Sequence, residues 1–196
     1  MTLPINDSPW NIQIVDNFLP KDIFHNVCTN IQTIEFGRHH ITYGVDDDVV
    51  IQPGMAHIFF SRPISHDDDF IRIVRESLKK KCKTDIKKVT NAAWILVNTK
   101  DPLPHVNQMF RPKETHMLIY LTSSEEKDSE KINSGTGFYL ENSNGDQILN
   151  SHIGFRENRA ILFNAEGCIH SPLLWNSKCS GTVSYTHLTL PTIYSV

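Results

Sequence analysis

The sequence predicts a mainly β protein with flanking helices, on two features of its hydrophobic pattern. Two stretches with apolar residues at helical spacing lie in the first half of the chain, and short apolar runs separated by polar loops follow from Val89 onward. Short strands between turn residues favour an antiparallel sheet, and the preceding helices would cover one of its faces. We therefore expect an antiparallel β core with helices on one face.

Length and composition are those of an ordinary globular domain. The chain has 196 residues, of which 39% are hydrophobic and 21% charged, and its net charge of −3 gives no basic field for nucleic acid. No stretch approaches the length of a membrane span, and the N-terminus has no signal-peptide pattern. Four scattered cysteines without a CxxC pair favour a reducing compartment. We therefore expect a cytoplasmic protein, with no prediction of its oligomeric state.

The first part of the chain predicts a strand followed by a helix. The β-rich run Trp10–Val15 leads into a turn, and Pro20 fits the first position of a helix. Apolar residues at helical spacing predict that helix over Asp22–Thr33. Extended segments are expected at His39–Val50 and Ala56–Phe60.

A second helix is predicted after an acidic start. His66–Asp69 places acids where they complement a helix dipole, and a helical stripe of apolar residues runs from Phe70 to Leu78. Lys79–Lys81 follow on the expected solvent face. From Val89 onward the strands are predicted at Ala92–Asn98, His116–Leu121, Gly137–Glu141, Ile148–Phe155 and Arg159–Phe163, with a hairpin signal at Asn144–Gly145.

Three residues have the spacing of a candidate metal site. His105 and Asn107 lie two apart in a loop between apolar strands, and residues two apart in an extended segment point to the same face. After a further apolar run comes His170. A His-x-acid pair with a late histidine is the spacing of a mononuclear non-haem iron site, although the second position here is Asn.

Five segments of the chain occur in an order that a known family shares. They are VDNFLP at Val15–Pro20, HVN at His105–Asn107, LIYLT at Leu118–Thr122, SGTGFYL at Ser134–Leu140 and RAILFNAEGCIHS at Arg159–Ser171. Together they resemble the 2-oxoglutarate- and Fe(II)-dependent dioxygenases, in particular the prolyl-4-hydroxylase-like branch, from about Trp10 to Gly181. The resemblance implies a double-stranded β-helix, or jelly roll.

The resemblance also implies an activity. His105 and His170 would be imidazole ligands of Fe(II) and Asn107 the third ligand, with 2-oxoglutarate and O₂ as cosubstrates and ascorbate as an additional reductant. Decarboxylation to succinate and CO₂ would accompany hydroxylation of a protein side chain or a small molecule. Two other functions fit the pattern: a non-catalytic jelly-roll binding module, and a cupin-like metal enzyme that does not use 2-oxoglutarate.

Asn107 leaves three accounts of the metal site open. Its carbonyl oxygen has the right shape but no charge, so the site would hold a metal less tightly than one with a carboxylate. Asn107 would then be a weaker but working ligand, or Glu114 would complete the coordination shell, or the metal site would have decayed.

Two further residues concern the distal carboxylate of 2-oxoglutarate. The family binds it with a basic residue on the strand after the second histidine, which the resemblance places near positions 179–182. Lys178 is the one basic residue between His170 and the chain end, and an arginine beyond Gly181 is the alternative. Tyr120 lies where related enzymes have a tyrosine on the same carboxylate, and a core tyrosine is the alternative.

The last fourteen residues, Val183–Val196, differ in composition from the rest. They contain no Gly, and all 19 Lys or Arg and all 22 Asp or Glu residues lie before them. The segment resembles the translation of a transposase-type sequencing adapter. We therefore expect residues 1–181 to form one oxygenase-like domain, and residues 182–196 to be a non-native tail from a metagenomic fragment that replaces the native last strand. A genuine strand is the alternative, because the alternation would permit one.

Overall fold

The computed structural model describes residues 2–4, 9–35, 58–60, 64–65, 68–84, 88–97, 104, 115–123, 135–173 and 181–189. Within this part of the chain the structure is mostly β-sheet with two helices, which confirms the mainly β class with flanking helices. The helices are α1 (Lys21–Ile31) and α2 (Asp69–Cys82). The strands are β1 (Thr2–Pro4), β2 (Gln13–Val15), β3 (Ile58–Phe60), β4 (Lys88–Val97), β5 (Thr115–Ser123), β6 (Gly135–Glu141), β7 (Gln147–Gly154), β8 (Ala160–Asn164), β9 (Ile169–Leu173) and β10 (Gly181–Thr189).

The strands form two antiparallel sheets. Neighbours in the large sheet follow the order β1-β2-β8-β5-β10-β4-β3, and those in the small sheet follow the order β7-β6-β9. Most neighbours are distant in sequence, because the chain crosses between the two sheets after β5, β7, β8 and β9. Such crossing between two facing sheets is typical of a jelly roll.

Both helices pack against one face of the large sheet. Met117, Ile119 and Leu121 alternate along β5 and lie in one buried cluster with Ile31 of α1 and Ile71 of α2. Residues two apart on a strand share a face, so this row is the outer side of the large sheet. The prediction that the helices cover one face of the β core is therefore confirmed.

The intervening residues of the same strands face the small sheet. Leu118 and Tyr120 of β5 share a second buried cluster with Phe138 of β6, Ile153 of β7 and Phe163 of β8. Because this cluster draws on both sheets, the two sheets face each other across an apolar layer. We call this layer the inter-sheet core, and it is into this layer that β9 directs His170.

Each helix begins close to its predicted start. Pro20 is the residue before α1, one position earlier than predicted, which is within the usual variation of helix boundaries. The side chain of Asp68 accepts a hydrogen bond of 2.8 Å from the backbone N–H of Phe70, which satisfies a donor that the helix itself cannot pair. Lys79–Lys81 are exposed in the last turn of α2, as expected. His66 lies outside the described residues.

Several strand boundaries differ from the sequence-based expectation. The strand predicted at Trp10–Val15 shortens to β2, because Asn11 has a φ of 48° that interrupts the extended backbone. Part of Ala56–Phe60 forms β3, whereas His39–Val50 lies outside the described residues. The pattern did not predict β9, since it is short and contains Pro172, a residue that strands tolerate mainly at sheet edges.

The predicted hairpin at Asn144–Gly145 joins β6 to β7. The side-chain oxygen of Asn142 accepts hydrogen bonds from the backbone N–H groups of Asn144 (2.9 Å) and Asp146 (2.8 Å). Gly145 has a φ of 84°, a conformation that glycine adopts without strain. The turn therefore spans residues 142–146 and is longer than a two-residue hairpin loop.

Residues from the predicted tail form a strand inside the large sheet. β10 pairs with β4 from Gly181↔Val97 to Thr189↔Lys88 and with β5 along its other edge. The alternative of a terminal strand thus describes the backbone of residues 181–189, and β10 occupies the place of the last strand. That residues 182–196 are non-native stays a prediction, because pairing does not reveal the origin of a segment.

Candidate functional site

His170 lies on β9 and faces the inter-sheet core. It is the cross-strand partner of Phe138 on β6, and its ring meets that of Phe163 edge-on with 5.2 Å between the centroids. Only 6% of the residue is exposed. The apolar rings around it exclude water, so a group bound to this imidazole would lie in a low-dielectric environment.

A backbone contact determines which nitrogen of His170 could bind a metal. Nδ1 lies 3.0 Å from the carbonyl oxygen of Cys168. A carbonyl only accepts hydrogen bonds, so in the neutral imidazole Nδ1 carries the proton and Nε2 carries the lone pair. Metal-bound histidines commonly donate their second ring N–H to a backbone carbonyl in this way. The orientation of His170 therefore fits a metal ligand that binds through Nε2.

Cys168 is a poor candidate for a ligand in spite of its position. It is fully buried in the inter-sheet core, and burial raises the pKa of its thiol to about 12. A thiolate binds metals, whereas a thiol with so high a pKa stays protonated at neutral pH. Cys168 therefore serves His170 through its backbone oxygen.

The other predicted ligands lie outside the described residues. These are His105 and Asn107, with Glu114 as the alternative ligand, and Lys178 falls outside them as well. Within the described ranges, no three His, Cys, Asp or Glu side chains are grouped as a metal site. The structure therefore describes His170 alone among the three predicted ligands.

Tyr120 is buried in the same inter-sheet core, on the inner side of β5. Its hydroxyl lies 2.6 Å from the Thr136 hydroxyl and donates to the carbonyl oxygen of Ile153 at 3.2 Å. Its ring stacks on Phe155 with 5.1 Å between the centroids. Burial raises the pKa of Tyr120, partly offset by the Thr136 hydrogen bond and the charge of Arg159, so the phenol stays protonated at neutral pH.

Strand β6 links the surroundings of Tyr120 and His170. Thr136 meets the hydroxyl of Tyr120, and Phe138, two residues further on the same face, pairs with His170. Tyr120 and His170 thus lie along one face of β6, about one side-chain row apart.

β10 runs directly beside Tyr120. Val183 is the cross-strand partner of Tyr120, and the sequence of β10, Gly181–Thr189, contains no Lys or Arg. A basic residue on this strand at the level of Tyr120 would have to occupy position 183. The expected position of the basic residue near 179–182 stays a prediction.

Two residues that contact Tyr120 were not predicted from the sequence. Thr136 lies within the SGTGFYL segment, and Arg159 precedes an apolar strand, so both are visible in the sequence. Their relation to Tyr120 depends on which strands pair, and no local pattern gives that pairing.

No helix among the described residues is long and apolar enough to cross a membrane.

Comparison by sequence and by structure gives different results. No protein-family model matches the sequence, and no curated protein sequence matches it. Solved structures do match. A Trichoplax adhaerens prolyl hydroxylase, in complex with a peptide fragment of the oxygen degradation domain of hypoxia inducible factor, superposes with a TM-score of 0.57 at 14% identity. The match covers 91% of this chain and 83% of that chain.

Two bacterial structures match over similar lengths. A Pseudomonas putida prolyl-4-hydroxylase has a TM-score of 0.52 at 10% identity, with 92% of this chain and 93% of that chain covered. HygX from Streptomyces hygroscopicus, bound to nickel, 2-oxoglutarate and hygromycin B, has a TM-score of 0.54 at 9% identity, with 94% and 84% covered. At these identities the likeness shows a shared jelly-roll fold.

Proposed function

We propose that this chain is a 2-oxoglutarate- and Fe(II)-dependent oxygenase that hydroxylates a protein side chain or a small molecule. The observation that carries the proposal is the orientation of His170 on a fold shared with such enzymes. Its imidazole is buried between the two sheets, and Nδ1 donates a hydrogen bond to the Cys168 carbonyl, so the neutral ring has its lone pair on Nε2. A buried histidine with a fixed tautomer is well prepared to bind a metal.

In this proposal three residues hold the metal. His105 and His170 supply imidazoles and Asn107 supplies a carbonyl oxygen, with Glu114 as the alternative oxygen donor. Fe(II), when bound, supplies the redox chemistry that couples decarboxylation of 2-oxoglutarate to hydroxylation. The protein's own part is to hold the imidazole of His170 in one tautomer and to exclude water through the rings of Phe138 and Phe163.

The cosubstrate would extend from the metal towards Tyr120. The phenol remains protonated at neutral pH and can donate to a carboxylate if its hydrogen turns away from Thr136 or Ile153. Lys178 is the basic residue proposed to balance the carboxylate charge. The buried surroundings strengthen each such hydrogen bond relative to water.

The matching structures indicate two substrate classes. One matching structure holds a peptide and another holds hygromycin B, a small molecule. Both classes are therefore proposed for this chain. The choice between them depends on substrate loops, which vary most among proteins of one fold.

The experiment measures succinate formation from 2-oxoglutarate with Fe(II) and ascorbate. Three proteins are compared: the chain itself, Asn107→Asp, and His170→Ala. We expect turnover that His170→Ala abolishes and that Asn107→Asp increases by about tenfold or more, because a carboxylate binds Fe(II) more tightly than an amide oxygen. Absence of both turnover and iron binding in the chain and in Asn107→Asp would refute the proposal.

A non-catalytic jelly-roll binding module is the second candidate. Two observations favour it: an amide stands at position 107, and the Tyr120 hydroxyl already has two partners within the protein. Turnover by Asn107→Asp but not by the chain itself would support this candidate, because the fold would then be competent and the metal site decayed.

A further inference from the structure

The backbone hydrogen bonds of Tyr120 and its ring stacking come from the end of β7 and the turn before β8. The hydroxyl reaches the Ile153 carbonyl and the ring stacks on Phe155. The backbone N–H of Tyr120 donates to the Arg159 carbonyl at 2.9 Å, and its carbonyl accepts from the Asn158 N–H at 2.9 Å. This turn therefore contributes four of the contacts that hold Tyr120, beside the Thr136 hydroxyl and the pairing with β10.

The same turn is fastened to the loop that follows β2. The guanidinium of Arg159 forms a fork on Asp16, with Nε donating to Oδ1 at 2.6 Å and Nη2 to Oδ2 at 3.2 Å. Its Nη1 donates to the Gly154 carbonyl at 2.8 Å. One side chain thus ties the N-terminal loop to the end of β7, next to the carbonyl of Ile153 that receives the Tyr120 hydroxyl.

Asn158 provides a second tie between the same two segments. Its side chain accepts from the Leu19 N–H at 2.7 Å and donates to the Leu19 carbonyl at 2.9 Å. Its backbone carbonyl accepts from Phe18 N–H at 2.8 Å, and its φ is 58°. A left-handed asparagine with both side-chain groups buried and paired holds the turn in one conformation.

We infer that Asp16 and Arg159 form a positioning pair that holds the Tyr120 hydroxyl in place for a bound carboxylate. The inference rests on the proposed function, because it gives Tyr120 the role of cosubstrate donor. Arg159 acts through the end of β7 and the turn, not by contact with the ligand. Loosening the fork would let Tyr120 shift, and cosubstrate binding would weaken before any chemical step is affected.

Arg156 offers a matched control, because it donates to the same carboxylate of Asp16 at 3.0 Å. Its side chain is 60% exposed, whereas that of Arg159 is 19% exposed, and Arg156 has no described contact with Gly154. Arg159→Lys keeps the charge but cannot form the fork. Arg156→Lys makes the same chemical change on the solvent side of Asp16.

The test is a kinetic comparison with 2-oxoglutarate as the varied substrate. Arg159→Lys is expected to raise KM for 2-oxoglutarate about tenfold with kcat changed by less than about twofold, and Arg156→Lys to change neither. In a Tyr120→Phe background, Arg159→Lys should add no further increase, since both changes remove the same interaction. A loss of kcat with KM unchanged, or full additivity with Tyr120→Phe, would overturn the inference.

A readout without turnover separates this inference from the proposed function. Hydrogen exchange of the Tyr120 amide reports the bond from its N–H to the Arg159 carbonyl. Exchange should accelerate in Arg159→Lys and stay at the wild-type rate in Arg156→Lys. Equal exchange in all three proteins would overturn the positioning pair even if 2-oxoglutarate is turned over. Accelerated exchange without any turnover would mean that the pair positions Tyr120 in the fold, and it would refute a role of the pair in cosubstrate binding.

Discussion

Asp16 concentrates more interactions than any other described carboxylate. It contacts Arg156 and Arg159 at once, and 29% of its side chain is exposed. Asp69, by contrast, pairs with Arg72 on the surface of α2 with 85% of its side chain exposed. Exposed pairs contribute little to stability, so we expect the two aspartates to behave differently when neutralised.

Asp16→Asn is expected to lower the free energy of unfolding by roughly 1–3 kcal/mol at neutral pH, because it breaks charge-assisted hydrogen bonds to Arg159. The hydrogen bond to Arg159 holds the pKa of Asp16 below its ordinary 3.8. A carboxyl with a lowered pKa stabilises the fold above its unfolded pKa, and this stabilisation is lost as the pH falls through the folded value. The difference between wild type and Asp16→Asn should therefore shrink as the pH falls from 7 to about 3.

Urea unfolding at a series of pH values measures this difference, with Asp69→Asn as the exposed control. Asp69→Asn should change the unfolding free energy by less than about 0.5 kcal/mol at every pH. A constant difference for Asp16→Asn across the pH range would contradict the assignment of the lowered pKa.

For His170, the sequence predicts some properties and the fold adds others. Its distance in sequence from His105 suggested a metal ligand, because the order of residues matches a known spacing. The tautomer depends on the carbonyl of Cys168, and the exclusion of water depends on Phe163 from another strand. The first feature depends on the backbone conformation of residues 168–170 and the second on which strands pack together, so the sequence predicted the residue type and not its chemical state.

The hairpin of β6 and β7 contains two glycines with opposite constraints. Gly135 and Gly154 are cross-strand partners. Gly135 has a φ of +149°, and a Cβ there would collide with the carbonyl oxygen of Ile153, whereas a Cβ at Gly154 meets nothing within 4 Å. The same carbonyl accepts the hydroxyl of Tyr120, so space at Gly135 bears on the candidate site.

Gly135→Ala is therefore expected to destabilise the protein by roughly 2–4 kcal/mol, because both the backbone conformation and the close approach require glycine. Gly154→Ala, the same change on the facing strand, should cost less than about 1 kcal/mol. Thermal or urea unfolding of the two variants compares them directly. Equal destabilisation would show that the hairpin adapts and that glycine is not required at position 135.

Position 183 on β10 is where a basic residue that binds the cosubstrate carboxylate could be introduced. Cross-strand partners lie on the same face of a sheet, so an arginine at 183 would be next to Tyr120. If the chain binds 2-oxoglutarate as proposed, Val183→Arg should tighten binding by about tenfold or more, because arginine pairs with carboxylates through two charge-assisted bonds. Calorimetry measures the affinity, and Val183→Leu controls for size. No gain over Val183→Leu would place the carboxylate elsewhere.

At the scale of the whole molecule, local sequence patterns predicted the helices and strands, whereas the contacts of the candidate site depend on pairing between strands that are distant in sequence. The two helices and strands β4 to β8 were predictable, since their apolar residues repeat with a helical or a strand period. The neighbours of β5 were not, because β8 and β10 follow it only after long intervening segments. Tyr120 and Arg159 meet through that pairing, and no short window of sequence contains both.

Because β10 takes part in this long-range pairing, its removal tests whether the large sheet can fold without it. β10 lies between β4 and β5 and pairs with both, so its removal would leave two inner strands with unpaired edges. Unpaired inner edges expose backbone groups and promote aggregation. Deletion of residues 182–196 is therefore expected to abolish the cooperative thermal transition or give insoluble protein. Deletion of residues 190–196, which lie beyond the described pairs, should preserve the transition.

Calorimetry and light scattering on the two deletion variants test whether the large sheet needs this strand. Loss of folding in the longer deletion alone would mean that residues 182–189 complete the large sheet, whatever their source. A longer deletion that unfolds at the temperature of the full chain would mean that β4 and β5 do not need β10. The composition break at Val183 would then coincide with the end of the folded domain, in line with the prediction that residues 1–181 form one domain.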